Sequence, residues 1–332
     1  EGDNNTAVGV EALEANTTGN QNTSIGTQSM HANLLGTTNV AVGYQALYTN
    51  TDSDHNTAVG FQALKLYDNT TDNFNSYNTA FGYQSGLNTT GAANRNTFVG
   101  GLSASINTTG ELNTAVGYYA LGVNQTGAEN VAIGAYALDA YTGSQAVAIG
   151  ESCLSSLTDG GGNTGVGWEA AKLTTTGLSN TAIGSRALYT NVDGDNNTTV
   201  GYQALSSFEA DTDGHGSNTA IGSETAKGLS TGTYNTAVGA FALDATSGTG
   251  NHNTALGYHA LGANTSGAHN VGIGGYAGYV ITTGVHNVAI GYEALKTNVA
   301  GDQSIAIGSY ALAVQNPSGN VNMNNIAIGM NA

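Results

Sequence analysis

The amino-acid sequence predicts an all-β fold: a parallel β-solenoid, or β-roll, of about 19 coils with a 17-residue repeat, forming one repeat domain over residues 1–332. Three observations support this prediction. A phrase centred on a glycine recurs along the whole chain, β-branched residues occupy fixed positions before that glycine, and asparagine fills the column just upstream of them.

The repeats align on one glycine, called here the anchor glycine, and other positions are counted from it. Typical phrases are Asn-Val-Ala-Ile-Gly at 130–134 and at 287–291, and most intervals between anchors are 17 residues. The anchor glycines are Gly9, Gly26, Gly43, Gly60, Gly82, Gly100, Gly117, Gly134, Gly150, Gly167, Gly184, Gly201, Gly222, Gly239, Gly257, Gly274, Gly291, Gly308 and Gly329.

The positions before the anchor predict a short strand. Position −1 is apolar in all 19 copies and position −3 is always β-branched, and such residues favour strands. Position −4 is asparagine in 17 copies, the exceptions being Ala146 and Ser304, so we expect an amide ladder along the stack. Each copy then continues through a glycine turn, a second extended segment and a polar turn. A leucine-rich-repeat-like coil stays open as an alternative, because Tyr-x-Ala-Leu after the anchor could form one helical turn.

Position −2 predicts self-association. It holds alanine in 14 copies and never a charged residue, so both faces of the strand are expected to be buried. Because a thin coil has only one interior, the second face, which carries the alanine column with Ala132 and Ala289, is expected to lie in close contact with another chain. Three chains around an axis would bury one strand face from each, which predicts a homotrimer.

Composition excludes several functions. The chain has six Lys and Arg residues and a net charge of −17, which disfavours nucleic-acid binding and anionic membranes. No apolar run has the length of a transmembrane helix. No group of residues breaks the repeat in the way that a catalytic constellation would, so we expect neither an enzyme nor a bound cofactor. Cys153 fits a column of small residues and is expected to be buried and inert.

Two groups are candidate metal ligands. His252, His269 and His286 share position −5 in successive copies, where neighbours could share a metal ion or respond to pH; a solvent-facing column is the alternative. Asp211 and Asp213, like the pairs Asp52/Asp54 and Asp193/Asp195, could offer oxygen ligands to calcium, although short acidic turns are common without an ion.

Aromatic residues recur just after the anchor and could stack on sugar rings, the alternative being packing between coils or chains. They are Tyr44, Phe61, Tyr83, Tyr118, Trp168, Tyr202, Tyr258 and Tyr292 at position +1, and Tyr119, Tyr136, Tyr276 and Tyr310 at position +2.

Three long intervals predict outward loops at 65–78, 206–218 and 313–325. Insertions in solenoids map to loops that often bind partners, so Phe74, Tyr77, Phe208 and His215 are candidate receptor contacts. Tolerated variation of a surface turn is the alternative.

The repeated phrases resemble those of trimeric autotransporter adhesin heads, and more closely those of phage and bacterial tail-fibre shafts. This resemblance implies a trimeric, left-handed parallel β-roll in a longer extracellular fibre, on a virion tail or a bacterial surface, with a cell-surface glycan or protein as receptor. The 17-residue period is longer than the usual adhesin repeat. Two other functions stay open: an ice-binding solenoid, suggested by 12 threonines at position −3, and a polysaccharide-acting solenoid enzyme, for which convergent carboxylates are missing.

Overall fold

The computed structural model describes residues 2–68, 75–209, 215–315, 317, 319 and 321–332, and within them the chain is all β, without a helix. Consequently these residues include no helix of the length and apolarity that crossing a membrane requires. The chain divides into two compact units, Glu1–Gly162 and Asn163–Ala332. The parallel β-solenoid predicted from the repeat is confirmed, and the alternative with a helical turn in each coil is wrong.

In the first unit the described strands pair in parallel, each with the next along the chain. They are β1 (Thr6–Val8), β2 (Thr23–Ile25), β3 (Val40–Val42), β4 (Thr57–Val59), β5 (Thr79–Phe81), β6 (Thr97–Val99), β7 (Thr114–Val116), β8 (Val131–Ile133) and β9 (Val147–Ile149).

The second unit repeats this arrangement and adds a two-stranded parallel pair between β18 and β20. Its described strands are β10 (Thr164–Val166), β11 (Thr181–Ile183), β12 (Thr198–Val200), β13 (Thr219–Ile221), β14 (Thr236–Val238), β15 (Thr254–Leu256), β16 (Val271–Ile273), β17 (Val288–Ile290), β18 (Gly301–Asp302), β19 (Ile305–Ile307), β20 (Val321–Asn322) and β21 (Ile326–Ile328).

The register stays constant across the long intervals. Thr57 pairs with Thr79, Thr198 with Thr219 and Ile305 with Ile326, so identical columns remain aligned where the spacing exceeds 17 residues. The strands therefore keep their register whatever the length of the interval, and the interval before Ile326 itself contains the short strand β20 (Val321–Asn322), which pairs with β18.

Apart from the terminal strands β1 and β21 and the short pair β18 and β20, each strand points its central residue into its own coil. Ala41, Ala132 and Ala289 are fully buried, whereas the flanking positions −3 and −1 are half-buried or exposed, with Ile133 at 36% exposure. The expectation that the alanine column contacts another chain is therefore wrong. Positions −3 and −1 of the strands form what we call the outer sheet face.

The interior is narrow, which explains the small residue at position −2. A Cβ added at Gly272 would lie 2.8 Å from Cγ of Leu261, the leucine at position +4 of the preceding coil. Phe98 breaks the rule and is still fully buried, because position +4 of the coil before it is Gly86 rather than leucine. A large side chain at position −2 is thus compensated by a small one at position +4 of the preceding coil, so the interior stays filled.

Left-handed backbone conformations make the turns tight. Gln45, Leu47 and His55, at positions +2, +4 and −5, have φ between 51° and 62°, and equivalent residues repeat along the chain. The anchor needs glycine for two reasons: Gly117 has φ of 137°, and a Cβ there would lie 2.5 Å from the carbonyl oxygen of Gly134 in the next coil.

The asparagine column at position −4 forms a buried ladder. The backbone N–H of Asn130 donates to Oδ1 of Asn113 at 3.0 Å, and Nδ2 of Asn113 donates to the carbonyl oxygen of Gly127 at 2.8 Å. Most of these amides bind backbone groups of the next coil rather than one another. The ladder therefore ties strand and turn together.

Position +7 carries a second asparagine ladder that the sequence analysis missed. Nδ2 of Asn124 donates to Oδ1 of Asn107 at 3.0 Å and to the carbonyl oxygen of Gly127 at 2.9 Å. Large side chains replace asparagine here in some coils, among them the fully buried Tyr67, Tyr141 and Phe208.

Candidate functional site

The aromatic residues after the anchor pack between coils while keeping exposed edges. Tyr44, Phe61 and Tyr83 stack with centroids 5.3 Å apart and remain 42–54% exposed. Since these three rings cover one another's faces, this row offers mainly ring edges to a ligand. Elsewhere the rings meet edge-to-face, as Tyr258 does with Tyr276 and Tyr292 does with Tyr310, so packing between coils is present in both arrangements.

A glutamine ladder runs beside these rings at position +2. Nε2 of Gln45 donates to Oε1 of Gln28 at 2.8 Å, and Nε2 of Gln62 donates to Oε1 of Gln45 at 3.0 Å. The repetition of glutamine at a fixed position could have revealed this ladder from sequence.

The three predicted histidines form an exposed stack. Tyr234, His252, His269 and His286 have successive ring centroids 4.9–5.0 Å apart and planes within 7° of parallel. Two nitrogens on one tetrahedral zinc ion lie roughly 3.4 Å apart, given bonds near 2.1 Å. Equivalent nitrogens of parallel rings lie about one ring spacing apart, so this arrangement does not bring neighbouring histidines together on one ion.

Other ligand candidates differ from the predicted ones. Asp211 and Asp213 fall outside the described residues. Within the described part of the chain, the group of three possible ligands whose atoms lie within 4.8 Å of one another is Glu11, Glu14 and His31, and both glutamates are largely solvent-accessible. Carboxylates of this kind are common on surfaces without an ion.

Two of the acidic turn residues have a structural role. Oδ1 of Asp54 accepts the backbone N–H of Thr37 at 2.6 Å, and Oδ1 of Asp195 accepts that of Leu178 at 2.6 Å. Both aspartates lie at position −6 and satisfy an amide of the preceding coil. These hydrogen bonds to backbone amides therefore account for aspartate at both positions without a bound calcium ion.

The candidate receptor contacts are separated in the structure. Phe74 falls outside the described residues. Tyr77 is 52% exposed but belongs to the regular −5 column, where it stacks on His55 at 4.8 Å. Phe208 is fully buried at position +7, so its side chain is part of the interior and not of the surface. His215 is exposed.

Charged groups gather around the single tryptophan. Glu169 accepts from Nζ of Lys172 and from Nε of Arg186, each at 2.7 Å, and the Arg186 guanidinium lies 4.5 Å from the Trp168 ring centroid. The hydrogen bond from Lys172, together with that from Arg186, lowers the pKa of Glu169 although burial opposes this. The Arg186 guanidinium covers the ring and pairs with Glu169 of the preceding coil, so this cluster joins two coils.

A cavity of about 490 Å³ opens in the second unit, beside the aromatic positions of three successive coils. Its walls include Asp244, Thr246, His259, Gly262, Thr265 and Tyr279. A second cavity, of about 630 Å³, is lined by Tyr310, Leu312 and residues of the last coil.

Two local departures from the repeat meet at the cavity beside Asp244. The interval from Gly239 to Gly257 contains 18 residues, one more than the usual repeat, and position +5 of the next coil is Gly262. A Cβ on Gly262 would lie 3.0 Å from Cε2 of Tyr279 and 3.2 Å from Oδ1 of Asp244, so these two side chains approach the glycine closely and leave no room for a side chain at this position.

The groups around this cavity are chemically varied. The His259 ring lies edge-to-face against Tyr279 at 5.5 Å and stacks on Phe241 at 5.0 Å, while its buried Nδ1 has no hydrogen-bond partner within the described structure. Burial raises the pKa of the Asp244 carboxyl above its ordinary value, and the nearby His259 acts in the opposite direction. The sequence analysis missed this cavity.

No protein-family model matches this chain, and no curated protein matches its sequence.

Proposed function

We propose that this chain is a segment of an extracellular structural and adhesive fibre, in which three copies associate through their outer sheet faces and present a receptor-binding surface. The observation that carries the proposal is the outer sheet face itself. It is continuous within each unit, β-branched or apolar at nearly every position, and free of charge.

Charge distribution favours association through this face. The chain carries a net charge of −17, which opposes the approach of two copies over most of the surface. None of the described residues at positions −3 to −1 is charged, so the repulsion is weakest there. The acidic side chains lie in the turns instead, where three packed copies would keep them in water.

The size of the face suits an interface. Each strand is about 10 Å long and neighbouring strands lie about 4.8 Å apart, so nine or ten strands give on the order of 400 Å² in each unit. Patches of this size on a monomer are often interaction sites. Parallel sheets are moreover normally covered on both faces. Here the coil interior covers one face, and two further copies of the chain would cover the other.

The proposed location is outside the cell, on a virion tail or a bacterial surface, and the proposed receptor is a cell-surface glycan or protein. We propose no catalytic role, no cofactor, no nucleic-acid partner and no insertion into a membrane. A surface rich in asparagine, threonine and glycine, with six lysines and arginines, supports this reading.

The test is the native mass of the wild-type protein and of an Ile133→Glu/Ile149→Glu double variant, measured by light scattering. Both isoleucines lie at position −1 and are 36–37% exposed, so the charges remain solvated in a monomer but are buried between copies. We expect a trimeric wild type and a folded, dissociated variant.

Leu112→Glu is the matched control, because Leu112 is 44% exposed but lies in a turn at position −5. It should leave the mass unchanged. A monomeric or dimeric wild type, or a double variant that still forms trimers, would refute the proposed assembly.

A second candidate, ice binding, is favoured by one feature of the same face. Strands β10 to β15 align six threonines in register, Thr164, Thr181, Thr198, Thr219, Thr236 and Thr254. An ice-binding face must stay open to water, whereas a trimer covers it. Thermal hysteresis from a monomeric protein would favour ice binding, and its absence from a trimer would favour the fibre.

A further inference from the structure

The cavity at Asp244 brings together groups that suit a polyhydroxylated ligand. The Asp244 carboxylate is an acceptor that can bind two hydroxyls, the threonines at 246 and 265 offer hydroxyls that both donate and accept, and Tyr279 adds an aromatic surface. Asp244, His259 and Tyr279 are half-buried, so their groups are partly withdrawn from water while the cavity remains open.

The dimensions agree with a small ligand. A volume of about 490 Å³ lies within the range of roughly 300–1,000 Å³ that is usual for small-molecule sites. The lining includes the Asp244 carboxylate and the Tyr279 ring, so a ligand in the cavity would meet both a hydrogen-bond acceptor and an apolar surface. A sugar ring has this amphipathic character, with hydroxyls at its rim and C–H groups on its faces.

Charge narrows the class of ligand further. The carboxylate lines the cavity, and the chain as a whole is strongly acidic, so an anionic ligand is disfavoured. Together these groups match a neutral hydroxyl-rich ligand better than a phosphate, a sulfate or an apolar molecule.

We propose that the cavity lined by Asp244, His259, Gly262 and Tyr279 binds a neutral saccharide of one or two rings. Asp244 accepts hydrogen bonds from two ring hydroxyls, Tyr279 packs against the C–H groups of the sugar, and Gly262 allows these two side chains to lie close to the backbone of its coil. The site goes beyond the proposed fibre assembly and does not depend on it, because none of its residues belongs to the outer sheet face.

The experiment titrates the wild-type protein with a panel of free sugars and follows saturation transfer and protein chemical shifts by NMR. The neutral members are glucose, galactose, mannose, N-acetylglucosamine, lactose, maltose and cellobiose, and N-acetylneuraminic acid is the anionic comparison. We expect at least one neutral sugar to bind and to shift the resonances of Tyr279 and His259.

Two variants and two matched controls locate the site. Asp244→Asn should weaken binding by about tenfold or more, because a hydrogen bond to a charged acceptor is replaced by a weaker one. Gly262→Ala should also weaken it, since the added methyl group would push Tyr279 and Asp244 out of position. Asp139→Asn changes the same +5 column in the first unit, and Gly101→Ala adds a methyl group that would lie 3.6 Å from the Tyr118 ring, so both should have no effect.

Three results would overturn the proposal: no binding of any neutral sugar by folded wild-type protein, equal binding by both site variants, or preference for N-acetylneuraminic acid. The native mass separates this outcome from the fibre proposal. A trimer that binds no sugar refutes the saccharide site alone, and a monomer that binds sugar refutes the trimer alone.

Discussion

The asparagine ladder gives a quantitative prediction at Asn113, which is 1% exposed. Replacing Asn113 with alanine removes the acceptor of the Asn130 N–H and the donor to the Gly127 carbonyl oxygen. The Asn130 amide is then buried without a partner, which costs about 1–3 kcal/mol, and the second lost bond adds about 1 kcal/mol. The Gly127 carbonyl oxygen still accepts a hydrogen bond from Asn124, so no free-energy cost for an unpaired carbonyl is added.

The expected loss of about 2–4 kcal/mol should appear locally, because each coil of a solenoid contacts chiefly its neighbours. Hydrogen exchange of a peptide spanning residues 125–135, followed by mass spectrometry, reports the opening free energy of that coil. Exchange should accelerate by about 30-fold to 1,000-fold, at 1.4 kcal/mol per factor of ten.

Two companion variants complete the test. Gln125→Ala changes an exposed side chain of the same segment and should alter stability by less than about 0.5 kcal/mol. Asn113→Asp keeps an acceptor but faces a carboxylate towards the Gly127 carbonyl, so burial should raise the pKa of that carboxyl. The loss of stability caused by Asn113→Asp should therefore be largest at neutral pH. It should become smaller in acid, where the protonated carboxyl can donate a hydrogen bond to the Gly127 carbonyl oxygen. Less than fivefold faster exchange in Asn113→Ala would refute the assigned role of the ladder.

Four further predictions concern other columns. Ala132→Glu should destabilise the coil by several kcal/mol whatever the state of assembly, because Ala132 is fully buried in its own coil; unchanged urea unfolding would contradict this. Gly86→Leu should destabilise the fold by overpacking, and Phe98→Ala should do so by about 3–5 kcal/mol because it leaves a cavity. The double variant restores the usual combination of leucine at position +4 with alanine at position −2, so its loss of stability should be smaller than the sum of the two; additive losses in the double-mutant cycle would argue against compensation. Burial raises the pKa of the Cys153 thiol to about 12, so a disulfide reagent at pH 8 should label native protein at least about 100-fold more slowly than urea-unfolded protein. Burial also raises the pKa of Asp244 in the folded state, so ionisation costs stability as pH rises through and above that pKa; Asp244→Asn should raise the melting temperature at pH 7 and leave it nearly unchanged at pH 3, and an equal shift at both pH values would count against this.

Several features of the coil could be predicted from the sequence because they repeat. The β-branched residues at positions −3 and −1 predicted the strands, since such side chains have few rotamers to lose in an extended backbone. The anchor glycine predicted the turn, and the asparagine at position −4 predicted a ladder. In each case one physical requirement acts on every coil, so the pattern appears in the sequence many times and stands out from chance.

Only the tertiary structure shows which face of the strand points into the coil. In a strand of three residues both faces carry uncharged side chains, so the pattern alone does not say which one is inside. The left-handed turns at positions +2 and +4 decide it: they bring leucines such as Leu261 so close to the strand that only a small side chain fits opposite. The β-branched columns consequently face outwards. The sequence pattern does not show this, so the alanine column was wrongly predicted to contact another chain.

The environment of residues that depart from the repeat is still harder to predict without the tertiary structure. Phe208 lies beside a long interval and was expected at the surface, but it follows its anchor by seven residues and therefore occupies an interior column. The cavity at Asp244 arises where an 18-residue interval meets a glycine in the following coil, and it includes Tyr279 from a third coil. A repeat determines the average coil from the sequence alone. A site formed by single exceptions in neighbouring coils exists only once the chain is folded, because folding places residues about 17 positions apart side by side.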